Sequence, residues 1–277
     1  MINTKLTDMS CPICSDSMMP AFTTIVLGKY TAQFDNCCDC GFLRVRQPHW
    51  LTEAYSNAIA ATDTGIVGRN INIARILAST LYFAMGDRGC GRYIDAAGGF
   101  GLLARMMRDY GFNFYWSDKY CDNLVAVGFE ASYELGAYQA VTAFEVIEHL
   151  EDPVQFVSDL LIHAESETFI FSTQLFEGKP PAPEEWWYYS LETGQHIAFF
   201  QRRTLLALAN RLGMKFYSVG NLHIFTRKEL SATILKLCTG KASYIFAPIA
   251  RMRLGSKVIS DNMKMVCNLL INNSSNK

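Results

Sequence analysis

The spacing of apolar and polar positions changes period several times along the chain, and each change marks an element. Arg92-Tyr93-Ile94-Asp95-Ala96-Ala97 is a short apolar run carrying a carboxylate near its end. Gly98-Gly99-Phe100-Gly101 follows at once, and Leu102, Leu103, Met106 and Met107 then fall at helical spacing. Asn113 to Ser117 reads as a second strand, closed by Asp118. Residues 127–131 read as a further short strand, and 137–144 as another, followed by Glu145-Val146-Ile147-Glu148-His149. Asp152-Pro153 starts a helix that runs to about His163, since Asp caps a helix and Pro suits its first position. Residues 167–173 are the next strand, and 202–212 an amphipathic helix stopped by Gly213. Strands at 215–219 and 222–226 flank Gly220-Asn221, a hairpin turn. Strands alternating with helices predict an α/β fold with a mostly parallel sheet and an antiparallel edge.

Two segments stand outside this alternation. Residues 69–86 have helical apolar spacing and precede the first strand. Residues 174–200 form a connection longer than a compact domain usually tolerates without a function. Pro180-Pro181-Ala182-Pro183 stiffens its front, and Trp186-Trp187-Tyr188-Tyr189 offers aromatic faces for a sugar ring, or ordinary packing over the sheet.

Composition narrows the function classes. The 277 residues are 50% hydrophobic and 18% charged, which excludes a disordered chain. The formal net charge of -1 gives no broad basic footprint for nucleic acid. No run reaches the roughly 18 apolar residues of a spanning helix. The first fourteen residues lack a secretory pattern, so the expected location is cytoplasmic.

Nine cysteines, an odd number, do not suggest a disulfide framework in such a compartment. Cys11 and Cys14 form one Cys-x-x-Cys, and Cys37 and Cys40 a second. Two such knuckles gather four thiolates for a closed, structural Zn2+ site, with Cys38 as a spare. Cys90, Cys121, Cys238 and Cys267 are scattered and read as small core residues.

A strand, a Gly-rich turn and a helix bring a ligand to bare backbone at a helix N-terminus. Asp95 precedes the glycines, where a pyrophosphate would be repelled, so a nicotinamide dinucleotide fits poorly. Asp118 suits a ribose diol. These features resemble the class I S-adenosylmethionine-dependent methyltransferases. Their first motif, acidic-x-Gly-x-Gly-x-Gly, is matched by Asp95, Gly99 and Gly101, and Ala97 departs at the first glycine. Phe144 to His149 with Asp152-Pro153 matches the segment after the fourth strand, and the closing hairpin the seventh, antiparallel strand. The resemblance covers about 89–227. It implies a Rossmann-like, seven-stranded sheet and a donor pocket of Asp95, Ala97, Gly99, Gly101, Asp118, Lys119, Phe144 and Glu145.

The cysteine-rich start resembles that of bacterial sugar C-methyltransferases and related polysaccharide-cluster methyltransferases, as does 190–200 with Arg203-Thr204-Leu205. This likeness implies a carbohydrate or nucleotide-sugar acceptor held by Trp186, Trp187, Tyr188 and Gln195. His196 is the expected base, because its pKa lies near the operating pH, and His149 is the second candidate. The expected organisation is a zinc module over 1–50, a helical cover over 51–88, a methyltransferase domain over 89–227 with 174–200 as substrate loop, and a helical extension over 228–277, unstructured from 272. Competing readings are a sugar C-methyltransferase, a non-catalytic methyltransferase-like subunit that binds a partner, and a nucleic-acid methyltransferase. Near-neutral charge disfavours the last.

Overall fold

The computed structural model describes residues 10–56 and 63–275. Residues 1–9, part of the stretch inspected for a leader, lie outside the described residues, as do 276–277. Six strands form the main sheet, in the order β5-β4-β6-β7-β10-β9: β4 (Arg92–Ala96), β5 (Asn113–Ser117), β6 (Ala140–Ala143), β7 (Thr168–Ser172), β9 (Lys215–Val219) and β10 (Leu222–Thr226). β4 pairs in parallel with β5 and β6, while β10 pairs antiparallel with β7 and β9. The expected antiparallel hairpin is therefore present, with its turn at Gly220-Asn221.

Of the seven strands expected, the one at 127–131 is not formed among the described residues. Segment 127–131 makes a single parallel bridge, Trp116 with Glu130. Two features stop it from extending. Gly128 sits at φ +83°, outside extended geometry. Its amide is also taken by Glu130 Oε1, and that of Ala126 by Asn123 Oδ1, so side chains replace the ladder.

By contact density the chain divides into two units. One comprises residues 1–61, 143–162 and 168–228. Besides β7, β9 and β10 it contains a second, four-stranded sheet, β1-β2-β3-β8: β1 (Met18–Val26), β2 (Tyr30–Cys37), β3 (Leu43–Val45) and β8 (Ala198–Phe199). β8 belongs to the 174–200 connection and pairs antiparallel with β3 through Leu43↔Phe199 and Arg44↔Ala198. That pairing, with Trp50 Nε1 donating to the Gly194 carbonyl at 2.9 Å, ties the connection to the N-terminal strands. An aromatic core of Phe34, Trp50, Tyr188, Tyr189 and Phe199 fills the space beneath. The unit's helices are α1 (Leu51–Ala54), α4 (Pro153–His163) and α5 (Arg202–Arg211). α4 starts where expected, with Asp152 Oδ1 accepting the Gln155 amide at 2.9 Å.

The other unit comprises residues 62–142, 163–167 and 229–277. Here α2 (Ile66–Ser79) continues as a π turn through Ala84, and α3 (Leu102–Asp109) follows the glycine turn. Three more helices close the chain: α6 (Ala232–Thr239), α7 (Ser243–Leu254) and α8 (Val258–Ser275). The end expected to be unstructured from 272 is helical as far as Ser275. α7 and α6 pack on α2, where Ser79 Oγ donates to the Ser243 carbonyl and Cys238 Sγ to that of Ser79. No helix among the described residues is long and apolar enough to cross a membrane.

Candidate active site

The glycine turn is built by backbone that few side chains tolerate. β4 ends at Ala96, and Ala97, Gly99 and Gly101 all take positive φ, at +51°, +55° and +86°. Ala97 thus keeps the left-handed geometry of the glycine it replaces. A Cβ on Gly98 would stand 2.8 Å from Asp95 Oδ2, and one on Gly101 2.8 Å from Asn123 Oδ1. Both positions therefore exclude side chains.

Asp118 closes β5 and is held in place from several sides. Its Oδ2 accepts the Gly99 amide at 2.9 Å, and its Oδ1 accepts the amides of Tyr120 at 2.7 Å and Cys121 at 2.9 Å. Trp116 Nε1 donates to the Gly99 carbonyl at 2.7 Å, fixing the turn from the same strand. Neighbouring Lys119 is exposed, its Nζ 5.4 Å from the centre of the Tyr120 ring.

Asp95 is buried. Thr142 Oγ1 donates to its Oδ1 at 3.1 Å, while Oδ2 has no partner among the described residues. Burial pushes its carboxyl up to about 7. A buried carboxylate oxygen without a donor fits a cationic ligand group, such as the ammonium of S-adenosylmethionine.

In the other unit, Phe144 and Glu145 follow β6. Both are half-buried, and Glu145 sits at φ +55°. Ser172 Oγ accepts the Glu145 amide at 2.9 Å and donates to its carboxylate, which fixes the turn. Glu148 is fully buried. Tyr188 Oη donates to its Oε1 at 2.6 Å, and its Oε2 has no partner among the described residues. Burial, then the charge of Glu145, pushes the Glu148 carboxyl up to about 8.

The two histidines come together: their rings meet edge to face with centroids 4.7 Å apart. His196 Nδ1 lies 2.6 Å from the Tyr188 carbonyl, and His149 Nδ1 lies 3.1 Å from the Gln195 carbonyl and 2.9 Å from Tyr55 Oη. A carbonyl only accepts, so each Nδ1 carries the proton and each Nε2 a lone pair. Burial pushes His149 down to about 3 and lowers His196.

The four expected acceptor residues separate. Trp186 packs against the aromatic core and Tyr188 lies within it, while Trp187 is 73% exposed. Gln195 is buried, and its Nε2 donates to the Ala54 carbonyl at 2.8 Å. Tyr55 and Glu148 were missed as site residues. Glu148 carried a signal, since it adjoins His149 in the motif after the fourth strand. Tyr55 carried none, because only folding brings it to His149.

Two groups of described side chains are placed to hold a metal ion. One is Cys11, Cys14, Cys37 and Cys40. Cys11 Sγ lies 3.6 Å from Cys40 Sγ, and Cys14 Sγ 3.4 Å from Cys37 Sγ. Sulfurs at ~2.3 Å around zinc stand ~3.8 Å apart in a tetrahedron, so the geometry fits that ion. The Cys40 thiol hydrogen-bonds Cys11 and pulls it down to about 5, while burial pushes Cys37 up to about 11. Helix α5 braces both knuckles. Arg211 donates to the carbonyls of Pro12 and Ile13, Arg203 to that of Asp39 and Thr204 to that of Cys40. The second group is Glu148, His149 and His196.

A family model described as a methyltransferase domain matches residues 69–219. Comparison with curated proteins gives no match. Among solved structures, magnesium protoporphyrin IX methyltransferase from Synechocystis PCC 6803 is 16% identical with a TM-score of 0.43, and the match covers 64% of this chain and 93% of that one. TnmH is 16% identical with a TM-score of 0.44, over 66% of this chain and 62% of that one. An O-methyltransferase family 2 protein from Planctomyces limnophilus, in complex with apigenin, is 11% identical with a TM-score of 0.43, over 64% and 65%. The chain thus spans less than two thirds of the latter two. The assignment rests on the family model, which spans more than half of the sequence. The chain belongs to the methyltransferase-domain family and is a methyltransferase.

Proposed function

We propose that the enzyme methylates a hydroxyl of a small acceptor, a sugar or nucleotide sugar, in a reducing cytoplasm. The observation that carries the donor half is Asp118, whose carboxylate is pinned by three backbone amides beside the glycine turn. A carboxylate fixed in this way keeps lone pairs free for a ribose diol without losing freedom on binding. Asp95 faces the donor's ammonium. Ala97, Gly99 and Gly101 offer bare backbone, and Lys119 adjoins Asp118. When bound, S-adenosylmethionine supplies a methyl group already activated by its sulfonium, so the protein's main contribution is positioning.

Trp187, exposed on the 174–200 connection, supplies a face for stacking on a sugar ring. Tyr188 meets the Trp187 ring edge to face, and Trp186 packs in turn on Tyr188. The acceptor oxygen attacks the methyl carbon opposite sulfur, the S–C bond breaks with its pair on sulfur, and His196 takes the hydroxyl proton at Nε2. Neutrality supports this role, since burial keeps the His196 ring unprotonated. His149 orients it through the ring contact. The same groups serve an acidic carbon, and product fragmentation separates O- from C-methylation. Zinc on the four cysteines is structural, with no open position.

Calorimetric titration with S-adenosylhomocysteine tests the donor half. Asp118→Ala should weaken binding by at least tenfold, the loss of charge-assisted hydrogen bonds. Equal affinity in wild type and variant would refute the assignment. Trp187→Ala should raise KM for a nucleotide-sugar acceptor and leave donor affinity unchanged.

A further inference from the structure

We propose that Glu148, His149 and His196 form a second metal site, distinct from the cysteine cluster, which binds a divalent first-row transition ion. One ligand atom from each residue lies within 4.8 Å of those of the other two. Two imidazole nitrogens and one carboxylate oxygen are a borderline donor set, which selects such ions over Mg2+ or Ca2+.

Three further observations point to an ion. Glu148 is 0% exposed, yet its Oε2 has no partner among the described residues. An orphaned buried carboxylate oxygen costs free energy unless something cationic meets it. Neither neighbouring ring supplies its Nδ1 proton to that oxygen, since each Nδ1 is engaged with a backbone carbonyl.

The second observation is how the ligands are held. Each histidine donates its Nδ1 proton to a backbone carbonyl, of Gln195 or of Tyr188. That contact fixes the tautomer and leaves Nε2 as the donor atom, the arrangement found behind metal-bound histidine. Tyr188 Oη then holds Glu148 through the other carboxylate oxygen. Tyr188 therefore supports two of the three residues, one by its carbonyl and one by its hydroxyl.

The third observation is rigidity. The two chain segments that carry the ligands are clamped by the Ile197 amide, which donates to the Glu148 carbonyl at 2.8 Å. The backbone thus holds the two ligand-bearing segments together before any ion arrives.

Three protein ligands leave coordination positions open, as catalytic sites do and structural ones do not. The link to catalysis rests on the hydroxyl-acceptor reading given above. With the ion bound, His196 is a ligand and accepts no proton. A coordinated acceptor hydroxyl loses its proton to solvent more readily, because the ion lowers its pKa. Its oxygen then forms the bond to methyl carbon as the S–C bond breaks, the pair staying on sulfur.

Cobalt(II) titration of the zinc-loaded, full-length protein tests the site. Wild type should take up one Co2+ per chain with the ligand-field bands of nitrogen and oxygen donors and no thiolate charge-transfer band. Glu148→Gln and His196→Ala should lose this uptake while keeping their bound zinc and a cooperative melt. Tyr55→Phe, which removes the hydroxyl behind His149 Nδ1, should weaken Co2+ by about tenfold. No uptake beyond the cysteine site in wild type would overturn the proposal, as would equal uptake in Glu148→Gln and His196→Ala. Assaying methyl transfer to a nucleotide sugar on the same proteins keeps the two readings apart. A second ion bound without hydroxyl methylation retains the site and refutes the acceptor, whereas methylation without a second ion does the reverse.

Discussion

Asp95 shows how far one residue's surroundings set its chemistry. It lies in a strand that is buried along its length, so its carboxyl is pushed up to about 7. The ionised form is the one that meets a cationic donor. Affinity for S-adenosylmethionine should therefore fall as pH drops, by about tenfold between pH 8 and 6, because the ionised fraction falls by that factor. Asp95→Asn should bind weakly with a flat profile, and fluorescence titration across that range checks both. The stability effect has the opposite sense. The folded pKa exceeds the unfolded one, so this group's contribution is present below the ordinary carboxylate range and is lost as pH rises through about 7. The two carboxylates proposed for the donor were picked out in sequence because each stands at or near the end of an apolar strand. The raised pKa was not, because it depends on what covers β4.

At the scale of elements, the short-range patterns read correctly and the long-range ones did not. The hairpin at Gly220-Asn221 and helix α4 followed from turn and cap residues, which act within a few positions. Segment 127–131 looked like a strand by composition, but Asn123 and Glu130 compete for its amides. β8 has two residues, too few for any pattern, and exists because β3 offers it an edge. The cysteine knuckles were legible from spacing, yet their support was not. Arg203, Thr204 and Arg211 look like the polar face of an amphipathic helix, and only folding sets them on the knuckle carbonyls. Zinc should be present at one equivalent in these knuckles. Cys37→Ser should release it and lower Tm, whereas Cys38→Ser should do neither, because Cys38 is exposed and outside the group. Metal analysis of protein purified without chelator decides between the two cysteines.

Across the whole chain, the residues after 228 lie beyond the family match and were expected to be a helical extension. Within their own unit they bury Leu235, Cys238, Ala247 and Ala250, while α8 is largely exposed apart from Asp261. α8 supplies Asp261, which forms a two-point pair with Arg108 of α3: Nε donates to Oδ2 and Nη2 to Oδ1, both at 2.7 Å. Arg105 adds a third contact, and the Arg108 guanidinium also lies 3.7 Å from the Phe129 ring centre. Both members of the pair are 7% exposed. Burial works to raise the Asp261 carboxyl, but the two guanidinium groups hold it below its ordinary value. A pair this deep need not stabilise more than an apolar contact, because both charges leave water. Breaking it from one side is different. Asp261→Ala leaves Arg108 charged and enclosed, which should cost about 3 kcal/mol. In a protein of this size that lowers Tm by roughly 6–12 °C. Replacing both members, as Arg108→Met with Asp261→Leu, should recover most of the loss, since no charge is then stranded. Thermal melts of Arg108→Met, Asp261→Leu and the double variant form a mutant cycle. A double variant as unstable as Asp261→Ala would show that α8 is held by the pair's geometry rather than by the space it fills.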